Sequence, residues 1–237
     1  MAKRKNMLFL NSNKNTNTLI NELSSILGNC ITMTTKNTVC PFDYTDKFQE
    51  TLSKKECPLF FTSRKTKNNK NYFVIGRTYE KDILDMIEYE IIEFKTTTDF
   101  ESIPPELNIR YFLIFEGMEK REENLFLDIF NTSSYAVNIN DIKYMLIITK
   151  EENIFSLKLY RVEGNRYEEI GPYIKFIETR KHFSDENKFL EACETDGNKR
   201  KKNISKNIYN DTIGTIHIPP PNLSDVKVKR SKGFKDL

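Results

Sequence analysis

Histidine and tryptophan are nearly missing from this chain: 237 residues include two histidines and no tryptophan. A serine or cysteine nucleophile needs a histidine base within reach. His182 follows the segment ETRK and His217 lies in TIHIPPP, and neither context offers the paired nucleophile that catalysis requires. Both read as structural residues or RNA contacts. Cysteine is also scarce. Cys30, Cys40, Cys57 and Cys193 lie 10, 17 and 136 residues apart and form no CxxC pair, which predicts free thiols rather than a zinc site or a disulfide framework. Of the eight glycines none belongs to a GxGxxG or GxxxxGK[ST] loop, so the backbone cradle of nucleotide hydrolysis is missing. No apolar run approaches the roughly 20 residues of a membrane helix. Met7 to Leu10 is only four residues long, too short for a signal-peptide core. These absences predict an intracellular chain with no metal, no cofactor and no catalytic centre.

What the chain does have is charge, and the charge is segregated. Charged residues make up 30% of the sequence, hydrophobic residues 38%, and the mean hydropathy is −0.58, the profile of a globular body with polar edges. The net charge of +3 hides three zones: residues 1–76 carry +7, residues 77–196 carry −11, and residues 197–237 carry +7. Two basic ends around an acidic middle point to an anionic partner, most simply a polyphosphate backbone, at the ends. A solvated surface is the plainer reading of any single charge run. The acidic middle is a candidate surface for a protein partner.

Hydrophobic periodicity predicts an α/β body. Residues 18–27 (TLINELSSIL) carry Leu19, Ile20, Leu23, Ile26 and Leu27 at helical spacing, with Gly28 as the stop. Residues 31–35 read as a strand and 45–54 as a helix with Phe48 and Leu52 four apart. Residues 58–63 and 72–77 read as two strands joined by the basic loop RKTKNNKN. Next, Ile83, Leu84, Met86 and Ile87 alternate with Glu80, Asp82, Asp85, Glu88 and Glu90, a pattern read as an amphipathic helix with a wet acidic face, leading into a strand at 91–94. Beyond Pro104 and Pro105 come a strand at 110–116, a helix at 124–131, strands at 142–149, 154–161 and 173–179, and a helix at 183–193. The organisation expected is an N-terminal segment and helix at 1–29, two similar α/β halves at about 30–105 and 106–196, and an extended basic tail at 197–237.

The residues expected to hold RNA follow the cations. Arg64, Lys65, Lys67 and Lys70 occupy the loop between two strands, and Arg77 follows Gly76. The neighbouring Phe60, Phe61, Tyr72 and Phe73 could be stacking platforms, though core is the stronger reading for strand aromatics. Lys199, Arg200, Lys201, Lys202 and Lys206 form a second cluster, and Lys227, Lys229, Arg230, Lys232 and Lys235 a third. KRKK also fits a nuclear import signal. Ile216, His217, Ile218, Pro219 and Pro220 form an extended apolar strip suited to docking on a partner.

Several segments carry a family resemblance. NYFVIGRTYEKDILDMIEYEIIEF at 71–94, CPF at 40–42, RYFLIFEG at 110–117 and EEIGP at 168–172 are followed in order by KKNIS at 201–205, GTIHI at 214–218 and VKRSKGFK at 228–235. This ordered set resembles the Brix-domain family of ribosome assembly factors, with departures at Thr62, Glu90 and Thr215. The resemblance implies a Brix domain of two similar α/β halves and a non-catalytic role in large-subunit (60S) assembly, in the nucleus and nucleolus. It further implies a heterodimer with regulator of ribosome synthesis that binds 5S rRNA and its ribosomal proteins and meets large-subunit rRNA in the pre-60S particle. Another rRNA-binding factor of the same family, or an interaction scaffold without RNA contact, are the alternatives.

Overall fold

The apolar run at residues 7–10, too short to be anything on its own, lies within the first strand of a nine-stranded sheet. In this computed structural model the described residues are 5–28, 30–34, 40–103, 105, 111–130, 142–164, 166–193, 204–206 and 212–214. They fall into two units, Met1–Ala192 and Cys193–Leu237. Strand β1 (Met7–Asn11) is buried throughout and lies parallel to both β2 (Cys30–Thr34) and β3 (Leu59–Lys65). Helices α1 (Asn17–Leu27) and α2 (Thr45–Lys55) fill the connections. β3 turns back into β4 (Asn71–Tyr79), and β4 into β5 (Asp82–Lys95), both pairs antiparallel.

The second half repeats this pairing. β6 (Tyr111–Glu116) lies parallel to β7 (Tyr144–Glu151), with α3 (Lys120–Phe130) between them in sequence; β8 (Ile154–Glu163) and β9 (Arg166–Phe183) then follow antiparallel. In each half a parallel pair is extended by two antiparallel strands, and the last strands of the halves, β5 and β9, pair with each other at the centre. The order is β2-β1-β3-β4-β5-β9-β8-β7-β6. α4 (Glu186–Cys193) follows β9. In the second unit β10 (Ile204–Lys206) and β11 (Thr212–Gly214) form an antiparallel pair inside the stretch expected to be an unpatterned tail.

Strand alternation sorts the core into two layers. Phe9, Phe61, Phe73, Ile75, Ile87 and Tyr89 face α1 and α3, whereas Leu8, Leu10, Phe60, Val74 and Met86 face α2 through Phe48 and Leu52. An aromatic chain crosses the first layer, from Phe9 on Phe61 at 4.9 Å through Phe73 to Phe176 and Phe155. Each ring buried this way contributes about 1.5–3 kcal/mol by area alone. Phe60, Phe61 and Phe73 are therefore core and not base-stacking platforms. Gly76, within VIGR, has a packing reason: a Cβ there would collide with the Phe60 ring and stand 2.7 Å from the Asp85 carbonyl oxygen.

Two expectations are corrected. The helix read through Ile83–Ile87 is part of strand β5, covered on both faces, so its apolar residues run on without alternating. Glu90, one of the departures from the family pattern, pairs with Tyr72 and Ile177 in mid-strand. A boundary at residue 30 would also separate β1 and α1 from the strands they pack on; β1 joins β2 and β3 in one sheet.

Candidate nucleic-acid interface

The β3–β4 hairpin closes through a tight turn in which Thr66 N–H donates to the Lys70 carbonyl at 2.9 Å and Asn69 N–H to the Thr66 carbonyl at 3.0 Å. Asn69 takes φ 67°, the left-handed region that asparagine tolerates better than most residues. Lys67 and Lys70 are exposed at this tip, and Lys65 is half-buried at its base. Lys70 Nζ reaches Glu90 at 2.7 Å, and that hydrogen bond raises its pKa above the ordinary lysine value.

A second loop, between β1 and α1, stands beside the hairpin. Ser12 N–H donates to the Ser63 carbonyl at 3.1 Å, and Asn13 Nδ2 donates to Asn71 Oδ1 at 2.9 Å. This link sets exposed Lys14 next to the hairpin, together with the N-terminus of α1, whose first turn holds no acid. The sequence contributes no Asp or Glu in residues 1–21 or 57–79, so two acid-free stretches meet at one end of the sheet. Lys14 is an addition to the RNA contacts expected from sequence. Its only sequence signal is the asparagine-rich segment NSNKNTN, whose side chains cap neighbouring backbone: Asn11 Oδ1 accepts from Asn13 N–H and Asn13 Oδ1 from Asn15 N–H.

Arg64 and Arg77 do not belong to that surface. Arg64 turns inward, its Nη2 on Glu88 Oε1 at 2.7 Å and its guanidinium over the Tyr72 ring at 5.0 Å. Glu88 is buried and also takes Arg180 Nε at 2.6 Å and the Thr179 hydroxyl at 3.2 Å. Burial pushes the Glu88 carboxyl up, but hydrogen bonds from Arg180 and Arg64 outweigh it and hold the carboxyl below the usual glutamate range. Arg180 in turn lies over Phe42 at 4.7 Å, meets Asp43 at 3.0 Å and donates to Cys40 Sγ at 3.3 Å. The CPF segment thus anchors an internal ion network. Burial raises the Cys40 thiol.

Arg77 is 5% exposed, which withdraws it from any RNA contact. Its Nη2 meets Asp85 Oδ2 at 2.6 Å, and its Nη1 meets Asp128 at 2.7 Å and Asn124 Oδ1 at 2.6 Å. Arg121 of α3 takes the other Asp85 oxygen at 2.7 Å and the Ser184 carbonyl at 2.7 Å. One carboxylate therefore ties β4 and β5 of the first half to α3 of the second.

Lys206 lies in β10, opposite Thr212. The remaining tail cations, Lys199, Arg200, Lys201, Lys202, Lys227, Lys229, Arg230, Lys232 and Lys235, lie outside the described residues, as do Ile216, His217, Ile218, Pro219 and Pro220. Among the described residues no group of His, Cys, Asp or Glu could hold a metal ion.

A family model described as Brix domain matches residues 10–204. The chain belongs to the Brix-domain family. The Brix match begins inside β1 and takes in both halves of the sheet. Its relatives include the Ribosome production factor 2 homolog of Caenorhabditis elegans, 27% identical, with 77% of this chain and 69% of the relative covered. The homologue of the same name in Drosophila melanogaster is 25% identical over 84% of this chain and 69% of its own length. The human one is 26% identical over 76% of this chain and 65% of its own length. Among solved structures, a probable ribosomal biogenesis protein from Aeropyrum pernix K1 superposes with a TM-score of 0.52 at 8% identity, covering 76% of this chain and 99% of that one. That likeness shows the fold alone.

Proposed function

We propose that this Brix-domain chain is a non-catalytic ribosome biogenesis factor of the large subunit. With regulator of ribosome synthesis it binds the 5S ribonucleoprotein particle, 5S rRNA with its ribosomal proteins, and recruits it to the pre-60S particle in the nucleolus, supporting maturation of large-subunit rRNA. The observation that carries the RNA contact is the meeting of two acid-free stretches of chain at one end of the sheet, where Lys14, Lys65 and Lys67 gather beside the N-terminus of α1 and Lys70 is held by Glu90. Exposed lysines on a rigid hairpin attract phosphates as point charges and carry no base specificity, which suits a protein that holds RNA by its shape. The names of its relatives point the same way. In this reading the tail cations also meet RNA phosphates, and the IHIPPP segment docks on a neighbouring protein.

Replacing Lys65, Lys67 and Lys70 together with alanine is expected to weaken 5S rRNA binding at low salt. It should also flatten the slope of log affinity against log salt by about 2 to 3, near one for each phosphate that is no longer neutralised. The fold should persist, since two of the three side chains are exposed and the third is only half-buried. Fluorescence anisotropy across a salt series measures both; an unchanged slope would remove the hairpin from the RNA surface. A scaffold without direct RNA contact is the second reading, favoured by the inward turn of Arg64 and Arg77.

A further inference from the structure

Helix α1 shows solvent a face that carries no charge. Its exposed residues are Asn17, Thr18, Asn21 and Ser25, with Ser24 half-buried among them. At 3.6 residues per turn they form one stripe, about 12 Å long from Asn17 to Ser25. α2, in the same half, exposes Asp46, Lys47, Glu50 and Lys54 instead, so the amide and hydroxyl stripe is not a habit of composition. Nor does it favour the helix, since asparagine, serine and threonine rank below lysine and glutamate as helix formers. The one acid of α1, Glu22, is half-buried at the border of the stripe, and both its oxygens are taken by Thr97, at 3.0 Å from the N–H and 2.8 Å from the hydroxyl. Ser24 and Ser25 each donate to the Asn21 carbonyl, at 2.9 and 2.8 Å, which fixes both hydroxyls and leaves their lone pairs as acceptors. Asn17 Oδ1 accepts from Asn11 Nδ2 at 2.8 Å, which orients the Asn17 amide. The stripe runs on into exposed Asn15 and Lys14, and so into the hairpin lysines.

From this continuity of neutral stripe and cations we infer that α1 lies in the minor groove of a double-stranded, A-form segment of RNA and contacts its 2′-hydroxyl groups, while Lys14, Lys65 and Lys67 hold the flanking phosphates. That groove is wide and shallow in A-form RNA and is lined by 2′-hydroxyls, each both donor and acceptor. Neutral amides and hydroxyls match such a lining. Carboxylates would repel the phosphates at its rims, and lysines would bind those phosphates without telling RNA from DNA. Protein is the poorer occupant, because the stripe exposes no large apolar side chain for a partner to bury. The inference rests on the proposed RNA-binding role and names the form of RNA that this end of the sheet takes.

The test uses the full chain with regulator of ribosome synthesis and compares 5S rRNA, an RNA duplex of about 16 base pairs and the DNA duplex of the same sequence. The variant is Thr18→Ala, Asn21→Ala, Ser25→Ala; alanine is the better helix former, so the fold should persist. The unaltered chain should prefer the RNA duplex to the DNA duplex by about tenfold or more. The variant should lose about tenfold in affinity for the RNA duplex and for 5S rRNA, as removal of two or three neutral hydrogen bonds does. Its affinity for DNA and its salt slope should stay as they were, because no phosphate contact is removed; the lysine variant, by contrast, flattens the slope. If 5S rRNA binds variant and unaltered chain equally well, the stripe is not the contact, although the RNA-binding role stands. If the unaltered chain binds RNA and DNA duplexes alike, or the variant's salt slope falls, the helix does not contact 2′-hydroxyls and the inference is overturned. Loss of regulator of ribosome synthesis from the variant, with RNA affinity intact, would give the face to protein and overturn it too. If the unaltered chain binds no 5S rRNA at all, the proposed role fails and this inference with it. Should the variant fail to fold, the unaltered chain decides on a 2′-O-methyl form of the RNA duplex: binding about tenfold weaker supports the inference, and unchanged binding refutes it.

Discussion

Replacing Asp85 with alanine is expected to lower the unfolding free energy by about 3–5 kcal/mol, the usual cost of removing one partner from a buried ion pair. Asp85 is 0% exposed and each of its oxygens is held by a different guanidinium, Arg77 at 2.6 Å and Arg121 at 2.7 Å. Without it, Arg77 keeps Asp128, Asn124 and the Phe189 ring, and Arg121 keeps Ser184, the distant Glu186 and the rings of Phe183 and Phe189. Domains of this kind hold about 5–15 kcal/mol in all, so the loss would bring many of them close to unfolding. Urea titration of the purified chain reads it as a fall in midpoint. Asp85→Asn should cost less, because it retains a carbonyl acceptor of the same shape. A change under about 1 kcal/mol for Asp85→Ala would mean that both guanidiniums reach water when released, contrary to the burial of Arg77.

Glu88→Ala is the second large effect, about 1.5–3 kcal/mol, because it removes the buried charged acceptor shared by Arg64 and Arg180, whose side chains are 20% and 38% exposed and can reach water once released. The same carboxylate makes stability depend on pH. Glu88 and Glu122 are both held below the ordinary glutamate range: burial opposes this, but hydrogen bonds from Arg180 and Arg64 prevail for the first, and from Lys150 and Lys181 for the second. A carboxyl whose pKa is lower folded than unfolded binds fewer protons in the native state. Its contribution is complete above the unfolded value of about 4.3 and is lost as pH falls through the folded value. Glu178 acts in the opposite direction, since burial, helped by Glu122, raises its carboxyl. Stability should therefore rise slightly as acidification protonates Glu178, and then fall steeply below about pH 4. In Glu88→Ala the steep limb should be shallower. Denaturant midpoints from pH 7 to 3 supply the curve, and parallel limbs for variant and unaltered chain would exclude Glu88 as a source of acid sensitivity.

The helices are legible in the sequence because each has one apolar stripe and one wet face: α1, α2 and α3 lie within a few residues of where their periodicity places them. Strands β3, β4, β7 and β8 are equally plain, as aromatic or β-branched runs bounded by polar turns. β5 is not, because a strand covered on both faces loses its alternation, and its acids resemble a helix's solvent side until the arginines that bind them are placed. Those partners are not adjacent in sequence. Arg77 stands directly across the β4–β5 pair from Asp85, and Arg180 directly across from Glu88 on β9. Register brings these two pairs together and makes Arg77, expected to bind RNA, an internal strut; Arg64 reaches Glu88 diagonally, from the neighbouring row. The hairpin lysines, with no buried acid opposite them, stay at the surface. Lys14 escapes a reading of the sequence because its position depends on Asn13 and Asn71, far apart along the chain, forming one hydrogen bond. The likeness of the two halves is visible in the sequence only as an order of elements; the paired strands β5 and β9 give it a physical axis.

The most direct test of the proposed role is the affinity of the full chain for 5S rRNA, with and without regulator of ribosome synthesis, across a salt series. The expected result is tight binding that strengthens with the partner and falls steeply with salt. Absence of binding by a folded heterodimer would contradict that role and leave recognition of the RNA to the ribosomal proteins.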